Sequence, residues 1–167
     1  MIERSDKARI QTGVLMSQLI QKKMVNEEQF LDGLKVLLEI AEDLLVDIPK
    51  FWDFLAQIIS PVFFSNCVNM KILLTSADCL MSDELARKCA AGNPGSPIIF
   101  KTRAKYFCPG KYLAAVLHEM GKSGEGRVVS LLQDSGLQWS HFLGPDMAVD
   151  QFLRDNKLEW TLQVHLY

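Results

Sequence analysis

From Phe30 to Leu45 the apolar residues Phe30, Leu34, Leu37, Leu38, Ala41, Leu44 and Leu45 recur at spacings of three and four. That period matches one face of an α-helix and no face of a strand. Asn26 stands where an N-cap belongs, and Gln29 three residues on completes a capping box. Glu27 and Glu28 put negative charge at the positive end of the dipole. A stripe of this length must be buried, so it demands helical neighbours. The flanks supply them. Ile10, Val14, Leu15, Gln18 and Leu19 trace a face on an earlier helix that ends in Lys22-Lys23. Phe51, Phe54, Leu55, Ile58, Ile59 and Val62 trace one on a later helix, with Trp52 alongside. Pro49 suits a first helical position, and Pro61 is expected to kink or end that helix. The link Val46-Asp47-Ile48 is so short that the helices either side are expected to be antiparallel neighbours.

Further along, the pattern weakens and then returns. Met70 to Cys89 reads as a helix on Ile72, Leu73, Leu80, Met81 and Leu85. Ala91-Gly92-Asn93-Pro94-Gly95-Ser96-Pro97 breaks the chain. Ile98-Ile99-Phe100 is a short strand or an apolar loop, followed by the basic residues Lys101, Arg103 and Lys105. Pro109 to Met120 is helical on Tyr112, Leu113, Val116, Leu117 and Met120. Gly126 to Gln133 is a short amphipathic stretch before Gly136, and Asp146 to Asp155 carries Met147, Val149, Phe152 and Leu153. The expected architecture is all-α, a HEAT-like α-solenoid of antiparallel helix pairs, although no fixed-period repeat shows in the residues.

Composition removes several classes of function. With 167 residues, 49% of them hydrophobic, the chain can bury the core of one ordinary domain. A net charge of −2 gives no general attraction to nucleic acid or anionic lipid, so any RNA contact is expected to be indirect. The most apolar run, Phe51 to Phe64, is too short to span a bilayer and holds Asp53, Gln57 and Ser60. The N-terminal residues lack the apolar core of a signal peptide, which points to the cytoplasm and to reduced thiols at Cys67, Cys79, Cys89 and Cys108.

Features that suggest chemistry do not assemble into a site. Gly121-Lys122-Ser123 resembles the end of a phosphate-binding loop, but Val116 stands where the first glycine is needed. The cysteines are too widely spaced for a zinc site, and His118, His141 and His165 are dispersed. Cys108 before Pro109 could sit at a helix N-terminus, yet no base to activate it is evident. The chain is therefore read as a non-enzyme without cofactor or metal.

The distribution of charge is more informative. Residues 27–47 hold seven acids (Glu27, Glu28, Asp32, Glu39, Glu42, Asp43 and Asp47) against Lys35, a net of −6 that leaves +4 for the rest. For Glu27, Glu28 and Asp32 a solvated helix face is explanation enough. If one helix runs from Asn26 to Asp47, Asp43 lies in its last turn, where the dipole disfavours a negative charge by ~0.3–1 kcal/mol. Asp43 and Asp47 are then like charges four apart on one side, at a similar small cost. Local stability does not account for Asp43, which suggests a basic partner. Asp47 can cap the helix opened by Pro49, bind a partner, or do both.

The same corner carries a family likeness. Phe30-Leu31-Asp32-Gly33-Leu34 through Leu44-Leu45-Val46-Asp47-Ile48-Pro49-Lys50-Phe51-Trp52 resembles the MI, or MA-3, domain family, in the form found in eukaryotic translation initiation factor 4 gamma. Ser135-Gly136-Leu137-Gln138-Trp139-Ser140-His141-Phe142-Leu143 and Asn156-Lys157-Leu158-Glu159-Trp160-Thr161-Leu162 resemble later parts of that domain and favour it over the alternative reading, a helical adaptor of another translation or splicing regulator such as the programmed-cell-death-type MI-domain inhibitor. The resemblance implies a scaffold module that binds the DEAD-box RNA helicase of initiation, factor 4A, alongside other initiation factors. It assigns partner contact to Asp43 and Asp47, with Glu42 and Lys50 beside them. In the family a further helix pair precedes the Glu3-Arg4-Ser5 junction, so residues 1–66 are expected to form the C-terminal half of the domain, with apolar surface left for the missing pair to cover. Residues 67–108 are expected to be a divergent, partly irregular insert, and 109–167 to continue the helical stack.

Overall fold

The computed structural model describes residues 5–81, 109–143 and 148–165. The break at 91–97, the apolar run 98–100, the basic residues 101–105, Cys89, Cys108 and the second half of the helix expected from Met70 lie outside them. The described residues are all-α, a solenoid-like stack of helices, and none of them is in a strand. The helices are α1 (Asp6–Gln21), α2 (Glu27–Glu39), α3 (Ala41–Asp47), α4 (Phe51–Phe64), α5 (Lys71–Met81), α6 (Pro109–Gly121), α7 (Glu125–Ser135) and α8 (Val149–Asp155). Two 3₁₀ segments, Trp139–His141 and Glu159–His165, complete the order.

Local chemistry explains the clearest boundaries. The capping box forms as the sequence predicts: Gln29 N donates to Asn26 Oδ1 at 2.8 Å, and Asn26 N donates to Gln29 Oε1 at 3.0 Å. At the end of α7, Gly136 takes the left-handed conformation (φ 65°, ψ 20°) that closes a helix without strain on a side chain. The last turn of α4 is held from outside, where Arg127 of α7 donates to the Phe64 carbonyl at 2.7 Å. A cation at this negative helix end satisfies an orphan acceptor and suits the dipole.

One continuous core joins the helices, and α4 lies at its centre. Phe51, Leu55, Ile59, Val62 and Phe63 are buried there, packed between α1 on one side and α6 on the other, while α2 packs mainly on α5. The main partners are therefore not consecutive in the chain. The short link after α3 does not make α2 and α4 the chief neighbours. On α6, Tyr112, Leu113, Val116, Leu117 and Met120 are all buried, as their spacing predicts. Tyr112 reaches α5, where its hydroxyl lies 3.3 Å from Ser76 Oγ. Ser76 itself donates to the Leu73 carbonyl. At the C-terminal end Trp139 is buried, donating from Nε1 to Thr161 Oγ1 at 3.1 Å and meeting the Phe152 ring at 5.5 Å.

Two expectations fail on packing, and a third, at Pro61, is narrowed. On α1 the buried residues are Arg9, Gly13, Ser17 and Ile20, not the aliphatic set, and Leu15 is 56% exposed. The reason is a close approach to α4. A Cβ at Gly13 would lie 2.1 Å from the Ile58 carbonyl oxygen and 2.9 Å from Pro61 Cγ, so a small residue faces inward. Arg9 seals the same seam: its Nε donates to the buried Gln57 at 2.6 Å, another nitrogen reaches Asp6, and the guanidinium lies 3.8 Å from the Phe54 ring centroid. Pro61 does not end α4, which continues to Phe64. Pro49 is not the first helical residue. It precedes the N-cap Lys50 in a turn closed by Phe51 N donating to Ile48 O at 2.9 Å, and so occupies the second position of a β-turn, which proline favours.

Two measurements test this packing. Gly13→Ala should destabilise the chain by about 3 kcal/mol, the upper end of the overpacking range, because the obstructing atom is backbone. Gly33→Ala in open space on α2 should stabilise it by ~0.5–1 kcal/mol in the same urea titration. Burial holds the Tyr112 phenol well above its ordinary range, against a smaller opposing effect of the Ser76 hydrogen bond. Its ionisation is therefore easier in the unfolded chain. The stability it contributes is full below pH ~10 and falls as pH rises further. Tyr112→Phe should lose stability less steeply than wild type above pH ~10.

Candidate functional site

The acidic corner is built by a helix break that the periodicity hides. The stripe from Phe30 to Leu45 spans two helices, α2 ending at Glu39 and α3 starting at Ala41, with Ile40 as the joint. Ile40 is the N-cap of α3 and provides no side-chain hydrogen bond to it. Ala41 is fully buried, and Leu44, Leu45 and Ile48 pack partly against the core. At 3.6 residues per turn, the opposite side of α3 presents Asp43 and Asp47 to solvent.

This break changes the electrostatics of the pair. Asp43 lies in the first turn of α3, where a negative charge suits the dipole, and not in the last turn of a longer helix. Asp47 is the final residue of α3, where it is disfavoured. It does not cap α4 either, since the N-cap is Lys50 and no side chain bonds there. The residue with the weaker structural justification is therefore Asp47. Lys50 is exposed beyond the turn, while Glu42 is half-buried with one carboxylate oxygen shielded from solvent. Asp43, Asp47 and Lys50 thus lie on accessible surface, and Glu42 sits to the side.

The corner is anchored from behind. Phe51, the residue that closes the turn, is fully buried, and the Trp52 ring packs at 5.2 Å from Phe51 and 5.7 Å from Tyr112 of α6. Two exposed aliphatics flank the acids, Ile40 at 45% and Val46 at 79%. Counting a buried stripe does not find these two. The available signal is that Ile40 and Val46 are apolar residues falling outside the stripe.

The other motifs are structural. Gly121-Lys122-Ser123 ends α6, and the amides of Ser123 and the following Gly124 are used within the turn, bonding Met120 O and Gly121 O, both at 3.0 Å. Those two amides are not available to a phosphate. His118 lies near the Asn156 carbonyl, and Cys67 is half-buried. Among the described residues no three His, Cys, Asp or Glu side chains gather to hold a metal, and no helix is long and apolar enough to cross a membrane.

The described residues form a helical stack that presents an acidic corner at the joint of α3 and α4. Residues 1–69 match the MA3 domain family. Beyond that segment, the chain is similar over most of its length to eukaryotic translation initiation factors of the 4 gamma type. It is 30% identical over 165 residues to eukaryotic translation initiation factor 4 gamma 1 of Mus musculus, and 27% identical over 161 residues to factor 4 gamma 3 of the same species. Each alignment covers 96% of the chain and so runs through the central segment. A 69-residue stretch is 38% identical to factor 4 gamma 1 of Oryctolagus cuniculus, covering 41% of the chain and 5% of that relative. The chain spans about 9% of the length of the two mouse relatives.

The reassigned dipole positions make opposite predictions for the two acids. At low salt Asp43→Asn should cost, and Asp47→Asn should gain, a few tenths of a kcal/mol in urea denaturation. Gains at both would mean that α3 continues α2 as one helix, with both acids at its negative end.

Proposed function

We propose that this chain is a protein-interaction module of a translation initiation scaffold, and that it binds the DEAD-box RNA helicase factor 4A through Asp43 and Asp47. The observation that carries the proposal is the exposed pair of acids on the outer face of α3, in a chain whose relatives are initiation factors of the 4 gamma type. Among the described residues neither acid has a salt-bridge partner. Both are free to meet lysine or arginine on a partner. Lys50 and Glu42 border the contact and tune its orientation. Other initiation factors are further partners of the same scaffold, in the cytoplasm, and RNA is reached through them and not directly. No cofactor, metal or catalytic step belongs to this function.

The rigid backing of the corner matters to binding. Phe51 and Trp52 fix the turn against α6, so the acids are presented without a large ordering cost on association. Asp43→Lys combined with Asp47→Lys should abolish pull-down of the helicase, because each exchanged charge both removes an attraction and adds a repulsion. Circular dichroism should stay helical, since both positions are exposed. Unchanged capture by the double variant would refute the site.

A further inference from the structure

We propose that Ile40 and Val46, continued by Val36, form an apolar strip that docks on the same partner as Asp43 and Asp47. The partner surface then carries aliphatic side chains set between basic ones. This inference rests on the helicase reading above and adds a second kind of contact to it.

Three observations converge. Val36, Ile40 and Val46 are exposed at 58%, 45% and 79%, although the same short stretch buries Leu34, Leu38 and Ala41 almost completely. Single exposed aliphatics are ordinary on a protein surface, but here two of them bracket the two acids around one helix face. On α3, with 3.6 residues per turn, Asp43 and Asp47 point away from buried Ala41, Val46 lies to one side of them and Ile40 to the other. Finally, Ile40 occupies the N-cap of α3, the position where Ser, Thr, Asp or Asn would stabilise a helix, and its side chain makes no capping bond. In the free chain nearly half of that isoleucine stays in water at a position where a polar side chain would cap α3.

Charge selects the occupant. Residues 27–47 carry a net −6, and Glu39, Asp43 and Asp47 are exposed around the strip. An anionic lipid surface or a nucleic acid would be repelled. A second copy of the chain, meeting the strip across a two-fold axis, would set these acids against themselves. A protein surface with lysine or arginine around an apolar patch satisfies both features. The long stems of those cations can lie along Ile40 and Val46 while their charged ends reach the acids.

The two contributions separate by salt. Binding of factor 4A to the whole chain is measured by titration calorimetry at about 0.1 M and about 1 M salt, where the Debye length falls from ~10 to ~3 Å. Ile40→Ser with Val46→Ser should weaken binding at least about tenfold at both salt concentrations, because burial of apolar surface is not screened. Asp43→Asn with Asp47→Asn should weaken it strongly at low salt and much less at high salt. Val46→Ile should retain wild-type affinity, and circular dichroism of every variant should match wild type. If the serine variant binds like wild type while the asparagine variant does not, the strip is overturned and the acidic contact stands. If wild type shows no binding, the helicase reading falls and this inference with it. If the free chain dimerises in sedimentation and the serine variant does not, the strip belongs to a second copy and the proposal is overturned.

Discussion

The burial of α4 between α1 and α6 governs the rest of the molecule. One side of α4 meets α1 so closely that a hydrogen must stand in place of a side chain at Gly13. The other side sends Trp52, which packs on Phe51, against Tyr112. Both contacts are needed, since α4 is too apolar to leave either face in water: Phe51, Leu55, Ile59, Val62 and Phe63 are all almost wholly buried. Through Tyr112 and Ser76 the same helix is tied to α5, and through Arg127 its last turn is tied to α7.

Function follows from where that burial stops. The chain enters α4 through a turn at Ile48–Phe51, and the burial of Phe51 fixes the turn. α3, immediately before it, buries only one side. Its outer side carries acids and aliphatics with no core to serve. Such a face contributes little to folding, and its composition is free to answer to a partner. The corner proposed to meet the partner is thus supported by a core, with the aromatic residues Phe51 and Trp52 packed behind it.

The arginine in the α1–α4 seam shows the same economy of contacts from another direction. Arg9 is 4% exposed, with its charge shared among Asp6, Gln57 and the Phe54 ring. A buried guanidinium is tolerated only when its donors are satisfied, so it fixes the register of α1 on α4 more than it stabilises the pair. This interface is specified by fit and polarity, and the aliphatic residues Ile10 and Leu15 are left outside it.

By itself the sequence determined the helical class, the capping box at Asn26, the buried face of α6, the stop at Gly136 and the position of the acidic corner. Each of these follows from a local rule, the 3.6-residue period or the hydrogen-bonding needs of a helix end. The tertiary structure alone decided which face of α1 turns inward, because the distance between two backbones is not encoded in hydrophobic spacing. It also decided that the long stripe breaks at Ile40. A break of one residue barely disturbs the period, so the letters read as one helix, yet it moves Asp43 from the negative end of a helix to the positive end of another. The corner was legible in the residues. Which of its acids is locally disfavoured, and that exposed Ile40 and Val46 stand beside them, depended on how the helices pack.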